Sequence, residues 1–226
     1  MKFLKIKLFT NKLNIEFEFY TKKLGFKAIK QTQDSFTVKV GWTEIEFEKS
    51  KIPHIYHYCF LIPSTLLNNA LEWMDKKVDI IPIEKDHSTQ KFDAWNARSF
   101  YFYDGSGNLV EFIVHYDIKS NEKCFDTSKI IGVCEMGMPC ENIKKINDLL
   151  TLKMSSTFWK GNFDRFGTNG TVEGKFLLPN YNIKKTWFPS SLKIKPEDFE
   201  AVIENNNINY HLKFRNGKIK KLYSYE

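Results

Sequence analysis

The feature that most constrains this chain is an internal repeat. A strand, an amphipathic helix and three further strands, spanning about 50 to 60 residues, occur twice within the first 117 positions. In the first copy residues 2–9 alternate, with Phe3, Lys5, Lys7 and Phe9 on one face and Leu4, Ile6 and Leu8 on the other. That is the pattern of a strand with one buried face. Thr10 and Asn11 can open a helix whose Leu13, Phe17, Tyr20 and Leu24 form one apolar stripe, and Gly25 stands where a left-handed stop is favoured. Strand-like runs follow at 26–31, 35–40 and 43–49, the last setting Glu44, Glu46 and Glu48 opposite Ile45 and Phe47. The second copy gives a strand at 57–62 and a helix capped by Ser64 and striped by Leu67, Leu71, Met74 and Val78. Strands at 79–84, 98–103 and 109–116 complete it. One copy alone leaves an open sheet with an unpartnered concave face; two side by side close a cup.

Residues 118–129 turn polar and read as a linker. Beyond them a strand at 130–138, a helix at 142–152 and strands near 157–159, 164–167 and 173–178 repeat the order in outline. Further strands follow at 199–203 and 210–223, the latter folded at Asn216-Gly217, a strong type I′ turn signal. The loop-like stretch 179–196 should tuck Trp187-Phe188-Pro189 against the body. The expected architecture is therefore α+β. A cup domain occupies 1–117, with halves at 1–50 and 54–117. A linker covers 118–129, and a second, degenerate copy covers 130–226.

Composition narrows the function classes. Apolar residues at 42% and aromatics at 15% supply a globular core. The net charge of +7 comes from lysines scattered along the chain, which reads as a solvated surface rather than a nucleic-acid footprint. No apolar run approaches the roughly 20 residues of a membrane span, and the opening residues alternate unlike a signal peptide. A cytoplasmic protein is expected, with neither nucleic acid nor membrane as partner. Its four cysteines form no CxxC pair, so reduced thiols are expected, and Cys59 reads as a buried structural thiol.

Two local motifs point further. Phe19-Tyr20-Thr21-Lys22-Lys23-Leu24-Gly25-Phe26 resembles the end of the first helix in the vicinal-oxygen-chelate superfamily. The run from Tyr101 through Asp104-Gly105-Ser106-Gly107-Asn108 to Glu111-Phe112 resembles that superfamily's last hairpin. Glyoxalases, fosfomycin- and bleomycin-resistance proteins and extradiol dioxygenases share these motifs. The resemblance covers about half the chain and implies paired βαβββ modules around a cup. It also implies metal ligands on the first and last strand of each half. Superposing the halves then marks Lys5, Glu46, His57 and Glu111 as the four inward positions.

The resemblance thus implies a divalent metal on His57 and Glu111 with Glu46, and Glu111 as the catalytic carboxylate. Lys5 departs from the pattern, since an ammonium cannot ligate; it would pair with Glu46. Extradiol chemistry uses two histidines and one carboxylate, and only His57 matches, with His115 as a distant substitute. The hairpin register pairs Tyr101 with Glu111, which places its hydroxyl toward a substrate oxygen, with Trp95 and Asn96 at the rim. Three functions stay open: a metal-dependent lyase, isomerase or transferase acting on a small molecule, a metal-free small-molecule binder of the bleomycin-resistance kind, or an interaction protein without the site. A homodimer is also left open.

Overall fold

The computed structural model describes residues 1–85 and 87–225; Asp86 and Glu226, the last residue of the expected C-terminal unit, lie outside the described residues. The first module runs β1 (Lys2–Thr10), α1 (Leu13–Glu18), β2 (Ala28–Gln31), β3 (Ser35–Val40) and β4 (Thr43–Lys49). The second runs β5 (His57–Leu61), α2 (Leu67–Asp75), the short β6 (Ile80–Ile81) and β7 (Gln90–Phe92), β8 (Ala97–Tyr103) and β9 (Leu109–His115). The third is β10 (Gly132–Gly137), α3 (Ile143–Met154), β11 (Phe158–Gly161), β12 (Phe166–Thr171) and β13 (Gly174–Pro179). A helix-free meander closes the chain: β14 (Phe199–Asn205), β15 (Ile208–Arg215) and β16 (Lys218–Tyr225). The turn between β15 and β16 has positive φ at both Asn216 and Gly217, as the type I′ signal requires.

The fold is α+β with paired βαβββ modules, but the pairing partners differ from the expected ones. The second module joins the third: β5 lies antiparallel to β10 in a nine-stranded sheet ordered β11-β12-β13-β10-β5-β9-β8-β6, with β7 on β8. The first module joins the closing meander, β1 lying antiparallel to β14 in a seven-stranded sheet ordered β16-β15-β14-β1-β4-β3-β2. The two halves of residues 1–117 therefore sit in different sheets. Alternation specifies which face of a strand is apolar, not which module supplies its neighbour.

The core lies between the sheets. Phe3, Phe36 and Phe47 from one sheet meet Phe60, Phe100, Phe112 and Phe176 from the other in one continuous apolar cluster. Each such ring contributes about 1.5–3 kcal/mol by leaving water. The sheets also touch through the backbone. The Trp42 amide donates to the Ile131 carbonyl (3.0 Å), and a Cβ on Gly41, at φ 53°, would stand only 2.0 Å from that oxygen.

Two bulges set which residues face outward. In β10 the register shifts between Val133, opposite Phe60, and Glu135, opposite Cys59. The extra residue puts Cys134 and Glu135 on the same side while Val133 and Met136 stay in the core. A matching shift in β1 between Phe3 and Lys5 leaves both Phe3 and Ile6 buried, where strict alternation would separate them.

The two motifs that carry the resemblance meet in space. Helix α1 passes into a wide π-helical turn at Phe19–Lys23, which buries Phe19 and Tyr20 together. The Tyr58 hydroxyl donates to Asp104 Oδ2 (2.7 Å), the Tyr20 hydroxyl bonds both that oxygen (3.1 Å) and Tyr58, and the Ser106 amide donates to Glu16 Oε2 (2.7 Å). Burial, then the charge of Asp104, pushes the Glu16 carboxyl well above its usual range. This network holds the hairpin between β8 and β9, and so the strands that carry Tyr101 and Glu111.

Candidate functional site

The nine-stranded sheet turns its second face to a cup. Across its floor the register sets Tyr101 beside Glu111, Glu111 beside Cys59, Cys59 beside Glu135 and Glu135 beside Lys175. The predicted pairing of Tyr101 with Glu111 is thus observed. His57 stands one step along β5 from Cys59 on the same face. All six of these side chains are buried.

His57, Glu111 and Glu135 offer ligand atoms that all lie within 4.8 Å of one another. The His57 Nδ1–H donates to the Leu109 carbonyl (3.0 Å), which fixes the tautomer and leaves Nε2 bare, 3.6 Å from Glu111 Oε2. Burial holds the His57 pKa below its ordinary value, so the ring is neutral at pH 7. Burial, reinforced by the charge of Glu135, pushes the Glu111 carboxyl up to about 8. One neutral imidazole and two carboxylates in this spacing suit a divalent cation, and replacing the Glu111 proton with a cation relieves its repulsion from Glu135. By donor chemistry the residues fit a metal.

Lys175 ends the row across the floor, beside Glu135. Its ammonium lies 3.0 Å from Glu135 Oε1 and is enclosed by the rings of Trp95 and Trp159, with centroids 5.4 and 5.0 Å away. Burial works against its charge, and Glu135 with the neighbouring thiols outweighs that and holds its pKa above the ordinary value. Its Nζ also approaches His115 Nε2 (3.3 Å), while His115 Nδ1 faces the Trp95 carbonyl. Burial and the Lys175 charge lower the His115 pKa to about 4. His115 therefore neighbours the cation rather than joining the His57 group.

Over this floor lies a cavity of about 320 Å³. Its walls include Phe92, Trp95, Phe166, Leu177, Trp187 and Phe188. The segment between β13 and β14, expected only to tuck against the body, roofs it: the Trp187 ring sits 4.7 Å from His57, and Phe188 meets Tyr101 edge-on at 6.1 Å.

The expected site residues separate accordingly. His57, Glu111, Tyr101 and Trp95 come together in the cavity. Glu46 does not; with Lys5 it lies on the outer face of the seven-stranded sheet, ion-paired to Lys5 and to Lys7 (3.0 Å). The correction follows from the sheet pairing, because the halves compared by superposition never share a cup. Asn96 occupies a left-handed turn with its amide on Asp117 (2.7 Å), and is not among the residues lining the cavity. Glu135 and Lys175 were missed. Their available signal was a single charge inside an apolar strand, IIGVCEMGM and GKFLLP, since an ionised residue in a doubly covered strand must have a partner.

A scan of family models returns no match, and no curated protein matches the sequence. Among solved structures, one described as a putative dioxygenase from Bacillus subtilis superposes with a TM-score of 0.62 at 15% identity, covering 99% of this chain and 84% of that one. A glyoxalase/bleomycin resistance protein/dioxygenase from Nocardioides matches 54% of this chain and 89% of its own (TM-score 0.42, 16% identity). A lactoylglutathione lyase from Agrobacterium tumefaciens matches 49% and 91% (TM-score 0.41, 16% identity). The full-length likeness and the paired βαβββ modules of the nine-stranded sheet give this chain the vicinal-oxygen-chelate fold, in keeping with the motifs at 19–26 and 101–112.

Proposed function

We propose that the protein is a metal-dependent enzyme acting on a small molecule held in the cup, with lyase, isomerase or transferase chemistry. The observation that carries this reading is the convergence of His57, Glu111 and Glu135 from three adjacent strands at the floor of an aromatic cavity. A divalent ion held there would polarise a substrate oxygen or acidify a bound water. The chain's own groups supply the rest. Glu111 is placed to take or return a proton beside the bound molecule. Tyr101, its cross-strand neighbour, presents a hydroxyl that can orient a substrate oxygen. Trp187 and the apolar walls keep bulk water from the floor. Lys175 holds Glu135 from one side and so limits how that carboxylate turns. A single imidazole argues against the two-histidine iron chemistry of extradiol cleavage, whatever the description of the Bacillus subtilis protein.

The test is elemental analysis and calorimetric titration of chelator-stripped protein with Mn²⁺, Ni²⁺ and Zn²⁺, beside a His57→Ala, Glu111→Gln variant. One equivalent bound by the parent and none by the variant is expected; equal binding by both defeats the reading. A metal-free binding protein is the second reading, and Lys175 favours it, because an ammonium beside Glu135 neutralises that carboxylate without any metal.

A further inference from the structure

The cavity lining also carries two cations outside the floor group. Lys184, on the segment that roofs the cup, and Arg165, immediately before β12, both line the cavity. Lys184 is half-buried, and its ammonium donates to the Thr186 carbonyl (2.6 Å). Among the described residues neither cation is ion-paired. Burial and then the charge of Arg165 lower the Lys184 pKa to about 8. No carboxylate inside the cavity relieves them. The Glu135 carboxylate is held by Lys175 instead. The same cavity is lined by flat apolar surfaces, Phe92 and Trp95 on one wall and Trp187 and Phe188 on the segment that carries Lys184.

On the reading that the cup is the substrate site, we propose that it takes a small aromatic carboxylate. The ring lies among Phe92, Trp95, Trp187 and Phe188, and the carboxylate rests on Arg165 and Lys184. The cavity volume is at the small end of the range of about 300–1,000 Å³ for ligand pockets, which suits one or two fused rings. A neutral ligand of the same shape would bury Lys184 further without compensation, and that cost discriminates against it. A carboxylate satisfies both cations with charge-assisted hydrogen bonds, bidentate on the guanidinium.

The experiment uses chelator-stripped full-length protein and two probes, 2-naphthoate and 2-naphthamide, read by tryptophan quenching and calorimetry. Naphthoate should bind roughly tenfold or more tightly than the amide. Arg165→Gln with Lys184→Gln should abolish that preference while leaving amide binding in place; both residues are at the surface and outside the floor group. Equal affinity for the two probes, no binding of either, or a preference that survives the double variant overturns the proposal. Because no metal is present, a failure of the metal reading shows only in the separate metal titration. The two outcomes stay distinguishable.

Discussion

At the scale of single residues the site is a balance of buried charges. Lys175 and Glu135 are both almost fully enclosed, and removing one partner strands the other. Lys175→Met should destabilise the metal-free protein by about 3–5 kcal/mol, read by denaturant unfolding. The same variant should bind a divalent ion more tightly than the parent, since the competing ammonium is gone, and added metal should restore much of the lost stability. Glu111 gives a prediction with a definite sign. Its folded pKa of about 8 lies above its unfolded value near 4.5, so the folded state holds this proton more tightly. Its stabilising contribution is complete below about pH 4.5 and is lost as pH rises toward 8. A metal must displace that proton, so metal affinity should climb about tenfold per pH unit up to about pH 8 and then level. In a Glu111→Gln variant residual affinity should lack that slope; a slope equal to the parent's refutes the assignment.

At the scale of elements, the bulge in β10 decides what the cup contains. One extra residue moves Glu135 from the core side to the cup side, because side chains alternate with period two. Farther along β10, Gly137 leaves room for the roof: a Cβ there would lie 2.9 Å from the Trp187 ring and 3.0 Å from the His57 carbonyl oxygen. Gly137→Ala should lift Trp187, shift tryptophan emission to the red and weaken naphthoate binding, at a stability cost of about 1–3 kcal/mol. Unchanged emission and unchanged affinity would mean that the roof does not rest on this strand. The element order was legible in the sequence because the apolar stripes of α1 and α2, the alternation of β4 and the apolar run of β9 after its turn are local properties. The short β6 and β7 were less so, since two- and three-residue strands carry too few positions to show a period.

At the scale of the whole molecule, the sheets interlock the chain's two halves. β1 and β5 begin the first two modules, yet each finds its outer neighbour beyond residue 130, in β14 and β10 respectively. A fragment of residues 1–117 would expose two long strand edges and the apolar face that meets Phe176 and Phe199. It should aggregate or bind a hydrophobic dye, without the cooperative unfolding transition of the full chain. A monomeric, cooperatively unfolding fragment would show that the first two modules can pair with each other after all.

The sequence by itself determined the modules: which segments are strands and helices and which faces are apolar, while the family resemblance implied that Glu111 and His57 point the same way. These follow from backbone periodicity and from motifs that close locally around Asp104 and Tyr20. Only the tertiary structure decided which modules share a sheet. It thereby set Glu135 and Lys175, in place of Glu46 and Lys5, beside His57. The reason is physical: several modules present similar free edges, and the choice among them rests on non-local packing between two sheets and on a one-residue bulge that reverses the facing of everything after it.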